Sequence, residues 1–354
     1  MFKKILFIMV IATVLIGTSG CITIKKQTSS TSTLGGMFFT DDRFETWKHK
    51  SLLMTPGETP GSISDTDIYF MRFDPSDVNA IYIGTRTDGL YYSYNGGAGW
   101  TKSEKLPAGF VRDMIIDTKD KCTLYAAVED KIYKSGDCAR TWDRVFYSDN
   151  TTKKVTSLEI DWYDPSIVYA GMSDGTLLKS VDYGLSWTNV YKFKARINKL
   201  VVDPNNSFKI YAGIVGEGLY RTDDKGANWL DLNPSMKDFK AADTYYDFVV
   251  STSSKDVVLY LNKYGLLRSL DSGETWMDVK LLTQPRTEIL FSVAIDPKNA
   301  SNIYYSTDKA IYKTLDGGNS WVVKKMPTTR IAGEIMVHPE EGYKLFVGAK
   351  TVEL

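Results

Sequence analysis

The chain is poor in the residues that most often carry metal or redox chemistry. Its 354 residues include two histidines and three cysteines. His49 and His338 lie far apart and have no neighbouring ligands at the spacing of a zinc site. A Walker-type loop and a dinucleotide-binding fingerprint are also missing, which argues against the common nucleotide-binding folds. We therefore expect neither a metal ion nor another cofactor.

An excess of charge of one sign is absent as well. Lysine and arginine total 43, and aspartate and glutamate also total 43. A balanced chain creates no overall field that favours nucleic acid, so we expect no nucleic-acid partner. Aromatic residues are abundant, with 22 tyrosines, 15 phenylalanines and 8 tryptophans. Tyrosine and tryptophan favour pleated, half-buried surfaces, so the composition indicates a globular, β-rich protein.

The longest apolar run lies at the amino terminus. Residues 1–21 contain two lysines, an apolar run and a small-residue patch that ends in Cys21. The run is too short to span a bilayer stably, and it has the charge order of an export signal. The patch is similar to a bacterial lipobox, which implies cleavage before Cys21 and acylation of its thiol, although Thr18 stands where a leucine-like residue is usual. An ordinary cleaved signal peptide or an uncleaved anchor is the alternative.

These features divide the chain into three parts. Residues 1–20 are predicted to be a lipoprotein signal peptide, and residues 21–36 a flexible tether rich in serine, threonine and glycine. Residues 37–354 are predicted to form the folded domain. The protein is then expected to be exported and anchored by lipid on the outer side of the cytoplasmic membrane, in the periplasm or at the cell surface.

An eight-residue segment that ends in tryptophan, called the box below, recurs along the chain. Residues 180–187, 269–276 and 314–321 match the pattern S/T-x-D-x-G-x-S/T-W in full, and the other copies depart from it at one or two positions. A weaker copy at 40–47 has Phe44 at the glycine position. The six stronger copies follow at intervals of 42 to 47 residues and end at Trp100, Trp142, Trp187, Trp229, Trp276 and Trp321. Five of them keep the aspartate, as Asp137, Asp182, Asp224, Asp271 and Asp316.

Each box follows a regular series of short apolar segments. An apolar run ends in an Asp-Pro type turn, and two further runs joined at a hairpin lead to the box. Four strands in about 40 to 45 residues is the size of a propeller blade. We expect the box to be a structural corner in which the aspartate and hydroxyl accept backbone N–H groups, Gly184 takes a positive φ, and the indole packs between sheets.

The box resembles the Asp box, also called the bacterial neuraminidase repeat. Sialidases, sortilin-type receptors, xyloglucanase-type glycosidases and the photosystem II stability/assembly factor family contain it. The repeats predict an all-β fold, a single seven-bladed β-propeller of four-stranded blades. Residues 331–350 supply two strands without a box, and residues 37–54 supply the other two. The two ends of the domain are therefore predicted to share one blade, which removes open sheet edges.

The two remaining cysteines fall on neighbouring strands of one blade. Cys122 lies at the start of a second strand and Cys138 just past the end of the third. Because these strands are antiparallel partners, the register predicts a disulfide. Two free thiols near an exposed rim are the alternative.

The first strand of every blade is expected to line the central channel. Alignment of these strands gives one ring of positions, polar in six of seven blades: Phe70, Asp113, Ser157, Lys199, Asp247, Ser292 and Glu334. Basic residues just upstream are predicted at the channel mouth, opposite the boxes. Together with Lys199 they are candidates for contacting an acidic partner: Arg112, Lys154, Arg196, Arg286 and Arg330. A wet channel mouth that binds no partner is the alternative.

The predicted function is non-catalytic. The chain looks like the photosystem II stability/assembly factor family in length, single ring and export signal, which implies an assembly or scaffolding role. A protein or glycan would be held at the channel face of a monomer. The alternative is a cell-surface glycoside hydrolase, sialidase- or xyloglucanase-like, with Asp113, Asp247 and Glu334 as its carboxyl groups. Arginines are spread thinly for a sialidase, and xyloglucanase-type enzymes use two propellers.

Overall fold

The computed structural model describes residues 32–55, 57 and 59–352. The predicted signal peptide, Cys21 and most of the predicted tether lie outside these residues. Within the part of the chain that is described, no helix is both long and apolar enough to cross a membrane. Nearly all of the regular structure is β-strand, arranged as seven blades of four antiparallel strands in a ring. The predicted β-propeller is confirmed.

The first strands of the chain belong to the blade that closes the ring and to a small hairpin beside it. The closing blade takes β1 (Gly36–Thr40) and β2 (Lys48–Lys50) from this region. The hairpin consists of β3 (Leu52–Leu53) and β4 (Gly61–Ser62).

Blades 1 to 3 follow in chain order, and each runs from the inner to the outer strand. Blade 1 contains β5 to β8, which are Ile68–Asp74, Asp77–Thr85, Leu90–Ser93 and Thr101–Lys102. Blade 2 contains β9 to β12, which are Val111–Ile116, Leu124–Val128, Lys131–Ser135 and Asp143–Tyr147. Blade 3 contains β13 to β16, which are Val155–Ile160, Val168–Met172, Thr176–Ser180 and Thr188–Lys192.

Blades 4 to 6 repeat this order. Blade 4 contains β17 to β20, which are Ile197–Asp203, Asn206–Ile214, Gly218–Thr222 and Leu230–Asp231. A 3-10 turn, η1 (Asn233–Met236), follows it. Blade 5 contains β21 to β24, which are Tyr245–Val250, Val258–Asn262, Leu266–Ser269 and Met277–Val279. Blade 6 contains β25 to β28, which are Leu290–Asp296, Asn299–Thr307, Ile311–Thr314 and Val322–Lys324.

Blade 7 is built from both ends of the domain. Its inner strands are β29 (Ile331–Val337) and β30 (Leu345–Lys350), and β1 and β2 complete it in the order β29-β30-β1-β2. Phe38 of β1 lies opposite Val347 of β30 on one side and His49 of β2 on the other. The predicted sharing of one blade by the two ends is therefore what the structure shows.

The residues just before β1 are attached to the ring. The N–H of Gly35 donates to the carbonyl of Ser64 at 2.5 Å, and the N–H of Thr329 donates to the carbonyl of Ser32 at 2.8 Å. The Nε–H of Arg330 donates to the carbonyl of Thr33 at 2.9 Å. Residues 32–35 are therefore hydrogen-bonded to the rest of the described domain.

The boxes form self-contained corners between the third and fourth strands. The hydroxyl of Ser180 donates to Asp182 at 2.7 Å and accepts the N–H of Gly184 at 2.8 Å, where φ is +82°. Asp182 also accepts the N–H of Ser186 at 2.9 Å. Hydrogen bonds from Ser186 and Ser180 lower the pKa of Asp182 to about 2. The corner therefore satisfies its polar groups internally, as its sequence predicts.

The hydrophobic core lies between neighbouring blades. One apolar cluster, for example, joins Tyr169 and Leu177 of blade 3 to Ile197 and Leu200 of blade 4. The box tryptophans pack against such clusters, and Trp100 is completely buried. The other box indoles are half-buried, so each seals the outer end of a cluster rather than its centre.

A disulfide in blade 2 links a loop to a box. Cys122 precedes β10, Cys138 lies in the box after β11, and their sulfur atoms are bonded. The N–H of Cys138 also donates to the carbonyl of Cys122 at 3.1 Å. The two segments are therefore joined both covalently and through the backbone.

Candidate functional site

The predicted ring positions lie side by side around the channel, and most of them connect one blade to the next. The carboxylate of Asp113 accepts the backbone N–H of Leu158 at 2.9 Å. The hydroxyl of Ser157 accepts the N–H of Leu200 at 3.0 Å. Each acceptor lies one blade before its donor, so these side chains satisfy N–H groups on the open edge of the next inner strand.

The same connection recurs on the other side of the ring. The carboxylate of Asp247 accepts the N–H of Val293 at 3.1 Å. The hydroxyl of Ser292 accepts the N–H of Ile335 at 3.1 Å. These contacts hold the inner strands together, which is a structural use of residues that the sequence predicted to face a ligand.

Two of the three candidate carboxylates also form ion pairs inside the channel. Arg72 Nη2 lies 2.8 Å from Asp113 Oδ1. Lys199 Nζ lies 2.8 Å from Asp247 Oδ1 and donates to the carbonyl of Phe248 at 2.8 Å. Lys199 was a candidate for binding an acidic partner, and in the structure this charge is paired within the protein.

Glu334, the third candidate carboxylate, is different. Among the described residues its side chain forms no hydrogen bond and no ion pair. Burial raises its pKa above the ordinary 4.5, and the charge of Asp247 acts in the same direction, while Lys199 and Arg72 oppose it. Glu334 is therefore the ring carboxyl whose side chain is not engaged by a hydrogen bond or ion pair within the described residues.

All three carboxylates line one cavity in the channel. This channel cavity has a volume of about 160 Å³, and Asp113, Asp247 and Glu334 lie in its wall with Tyr245 and Asn198. A carboxyl of raised pKa and an ion-paired carboxylate that line the same cavity are the kinds of group that glycoside hydrolysis requires. Within the described residues there is no group of three or more side chains placed to hold a metal ion.

Sequence reasoning missed two charged residues deeper in the channel. Arg72 and Glu159 each lie two residues after a ring position and therefore on the same face of their strands. Glu159 accepts the N–H of Ile160 at 3.0 Å, and burial raises its pKa to about 8. The two-residue period of a strand, continued one step further along β5 and β13, is the signal that identifies them.

A second cavity, the mouth cavity, opens above the first. It has a volume of about 410 Å³, and Arg112 and Arg196 line it. Tyr69, Phe291 and Lys350, like Arg112, line both cavities, so the two cavities are neighbours with a shared wall. The structure therefore brings two of the predicted basic residues together at the channel mouth.

The other predicted basic residues are used elsewhere. Lys154 pairs with Glu129 at 3.2 Å, beside Arg112. Arg330 pairs with Asp67 at 2.7 Å and holds the start of the domain. Arg286 lies in the wall of a separate cavity of about 290 Å³ formed by blades 5 and 6 and the loop that joins them. The six residues therefore do not form one surface.

Comparison with known proteins identifies relatives that are enzymes. No family model matches the chain. It is 26% identical over 249 residues to a xyloglucanase of Paenibacillus sp., a match that covers 62% of this chain and 21% of the relative. The chain thus spans about a fifth of the length of that relative.

Solved structures with the same fold include both enzymes and a peptide-binding protein. A GH74 xyloglucanase from Xanthomonas campestris aligns with a TM-score of 0.64 and 18% identity, over 80% of this chain and 51% of that chain. YCF48 bound to D1 peptide aligns with a TM-score of 0.62 and 12% identity, over 82% of this chain and 94% of that chain. At these identities the likeness shows the propeller fold alone.

The comparison contradicts the prediction of a non-catalytic, partner-binding propeller. The relatives detected from sequence are named as xyloglucanases, so the glycoside hydrolase alternative fits better. The non-catalytic prediction depended on chain length, a single ring and an export signal, none of which carries information about channel chemistry.

Proposed function

We propose that the protein is a glycoside hydrolase that cleaves a polysaccharide at the channel of the propeller. The sequence relatives named as xyloglucanases support this class of activity. The observation that carries the proposal is the position of Glu334, a half-buried carboxyl with no hydrogen-bond or ion-pair partner among the described residues. It faces the same cavity as Asp113 and Asp247.

In the proposed reaction the two kinds of carboxyl group have different roles. Glu334 is the general acid, because its raised pKa keeps the proton available for transfer to the glycosidic oxygen. Asp247, held by Lys199, is the carboxylate that accepts a proton from the attacking water. The bond between the anomeric carbon and the glycosidic oxygen breaks, and a bond from that carbon to the water oxygen forms. Asp113 positions Arg72 and the neighbouring blade.

A hydrolysis assay on a panel of polysaccharides tests the proposal. Xyloglucan is the first substrate to test, since the relatives are named for it. New reducing ends should appear with the wild-type chain, and Glu334→Gln should lower the rate by about 100-fold or more. Activity should also fall as pH rises through the raised pKa of Glu334, because the acid loses its proton.

The matched control is Glu340→Gln, a change of the same kind at an exposed position after β29. It should hydrolyse at the wild-type rate. If the folded wild-type chain releases no reducing ends from any polysaccharide in the panel, or if Glu334→Gln is as active as wild type, the proposal fails.

For the location, we infer export and anchoring through a lipid on Cys21. The charge order of residues 1–21 supports this, and so does the Cys122–Cys138 disulfide, a bond that persists mainly in oxidising compartments. Cys21→Ser should move the protein from the membrane fraction to the soluble exported fraction. Retention of that variant in the membrane would exclude lipid attachment at this residue.

A further inference from the structure

The mouth cavity has an unbalanced charge. Arg112, Arg196 and Lys350 all contribute to its wall, and Asp67 is the one acidic residue in it among the described residues. The Asp67 carboxylate is already engaged, because it pairs with Arg330 at 2.7 Å and accepts the N–H of Thr351 at 2.9 Å. The wall therefore presents net positive charge to whatever enters.

Arg112 is held against an aromatic ring, and Arg196 contacts the hydroxyl of a neighbouring tyrosine. The Arg112 guanidinium lies 4.1 Å from the centre of the Phe110 ring, and Phe110 packs edge-on against Tyr69 with centroids 4.4 Å apart. Arg196 Nη2 lies 3.5 Å from the Tyr69 hydroxyl. An arginine fixed on a ring loses little side-chain freedom when an anion binds, so this arrangement favours binding.

The described residues satisfy these guanidinium groups only in part. The Nε–H groups of Arg112 and Arg196 are buried and have no acceptor among the described residues. The nearest carboxylate to Arg112 is Glu129 at 3.7 Å, and it also serves Lys154. Burial lowers the pKa of Arg112, and the like charge of Arg196 adds to this effect. A bound anion would relieve both the repulsion and the missing hydrogen bonds.

The position of the cavity identifies the kind of anion. Tyr69 and Phe291 supply aromatic surface along the shared wall of the mouth and channel cavities, and the larger cavity has a volume of about 410 Å³, within the usual range for ligand sites. A polysaccharide whose scissile bond lies beside Glu334 would place a neighbouring sugar in the mouth cavity. The planar fork of arginine matches a carboxylate better than any other common group on a sugar.

We propose that the mouth cavity binds the carboxylate of a uronic acid residue through Arg112 and Arg196. The substrate of the protein is then an acidic polysaccharide rather than a neutral one. This inference depends on the proposed function for the position of the scissile bond, but the binding site itself can be tested without hydrolysis.

Calorimetric titration of the full chain with two uncleaved probes of equal length provides that test. Tetragalacturonate should bind more tightly than cellotetraose, and its affinity should fall as salt concentration rises. Arg112→Gln and Arg196→Gln should each weaken tetragalacturonate binding by at least about tenfold and leave cellotetraose binding unchanged. Arg196→Lys, which keeps the charge but not the fork, should give an intermediate affinity.

Arg144→Gln is the control, since Arg144 is exposed on the outer strand of blade 2. It should bind tetragalacturonate as wild type does, and thermal unfolding of each variant shows that the ring is intact. Equal affinity for the two probes, or full affinity in folded Arg196→Gln, would overturn the inference. So would an acidic peptide of the same charge that binds more tightly than tetragalacturonate.

The two proposals fail in different ways. If tetragalacturonate binds in a way that depends on the arginines but the chain cleaves no polysaccharide, the uronic acid site is supported and the hydrolase proposal fails. If the chain cleaves a neutral glucan and neither Arg112→Gln nor Arg196→Gln changes the rate, the hydrolase proposal is supported and the uronic acid site fails.

Discussion

Asp247 and Glu334 occupy the same ring position in blades 5 and 7, yet their surroundings differ. Asp247 is paired with Lys199 and accepts the N–H of Val293 in the next blade. Glu334 has no such partner among the described residues, and burial raises its pKa. The repeat therefore fixes where a carboxyl lies, while side-chain length and neighbouring charge decide whether it holds the ring together or is available for chemistry.

Removal of the ion-paired carboxylate of Asp247 should have the largest effect on stability. Asp247→Ala leaves the Lys199 ammonium without its counter-ion and the Val293 N–H without its acceptor, so we expect a loss of about 2–3 kcal/mol in the free energy of unfolding. Glu334→Ala should cost much less, because no partner is left unpaired. Chemical denaturation measures both, and equal losses would contradict the distinction between the two positions.

A pH series extends the comparison to Glu159, whose carboxyl also has a raised pKa. The folded chain keeps the proton on Glu159 up to about pH 8, whereas the unfolded glutamate releases it near 4.5. Between these values unfolding releases a proton, so the free energy of unfolding falls as pH rises. In Glu159→Gln this fall should be absent. The free energy of unfolding of the variant, relative to wild type, should therefore rise by on the order of 2 kcal/mol between pH 5 and pH 8. Parallel curves for wild type and Glu159→Gln would show that Glu159 is not buried as a neutral acid.

Ser157 tests a bond between blades in which a hydroxyl accepts a backbone N–H, while the same hydroxyl donates to Asp113 Oδ2 at 3.4 Å. Ser157→Ala leaves the Leu200 N–H without its acceptor, and we expect a loss of about 1 kcal/mol in the free energy of unfolding. Thr151→Ala removes an exposed hydroxyl in the loop before the same strand and should have no measurable effect. Thermal or chemical unfolding measures both variants. Equal stability of Ser157→Ala and Thr151→Ala would show that the hydrogen bond to the Ser157 hydroxyl contributes nothing to stability.

The smallest expected change in stability comes from shortening the side chain of Glu334. Glu334→Asp shortens the acid to the length of Asp247, and Met71 occupies in blade 1 the place that Val293 occupies in blade 6. The shorter carboxylate should accept the Met71 N–H and raise the free energy of unfolding by about 0.5–1 kcal/mol. Hydrolysis should fall at the same time. A variant that is less stable than wild type would exclude this account of the length difference.

Much of the ring could be predicted because the sequence features that determine it are local and recur at a regular period. The intervals of 42 to 47 residues between successive box tryptophans give the blade length, and the partial repeats at residues 37–54 and 331–350 predict the shared blade. The register also places Asp113, Asp247 and Glu334 on one ring, and they do line one cavity. A period of two within strands and of about 40 to 45 residues between blades is enough for this.

The use of each ring residue could not be predicted in the same way. Whether Ser157 reaches the Leu200 N–H depends on the separation of two blades, and no sequence spacing records that distance. Arg330 appeared to be a free basic residue, but Asp67, which binds it, is far away in sequence. The predicted function failed for a related reason, since length and ring number describe the scaffold and not the groups inside it.

The shared blade also sets the timing of folding during synthesis. Strand β1 is made first, but it lies between β2 and β30, and β30 leaves the ribosome roughly 300 residues later. For tens of seconds β1 therefore has one sheet neighbour and an unpaired edge. The ring cannot close before translation of the domain ends, so the nascent chain has a period in which that edge must be kept from pairing with other chains.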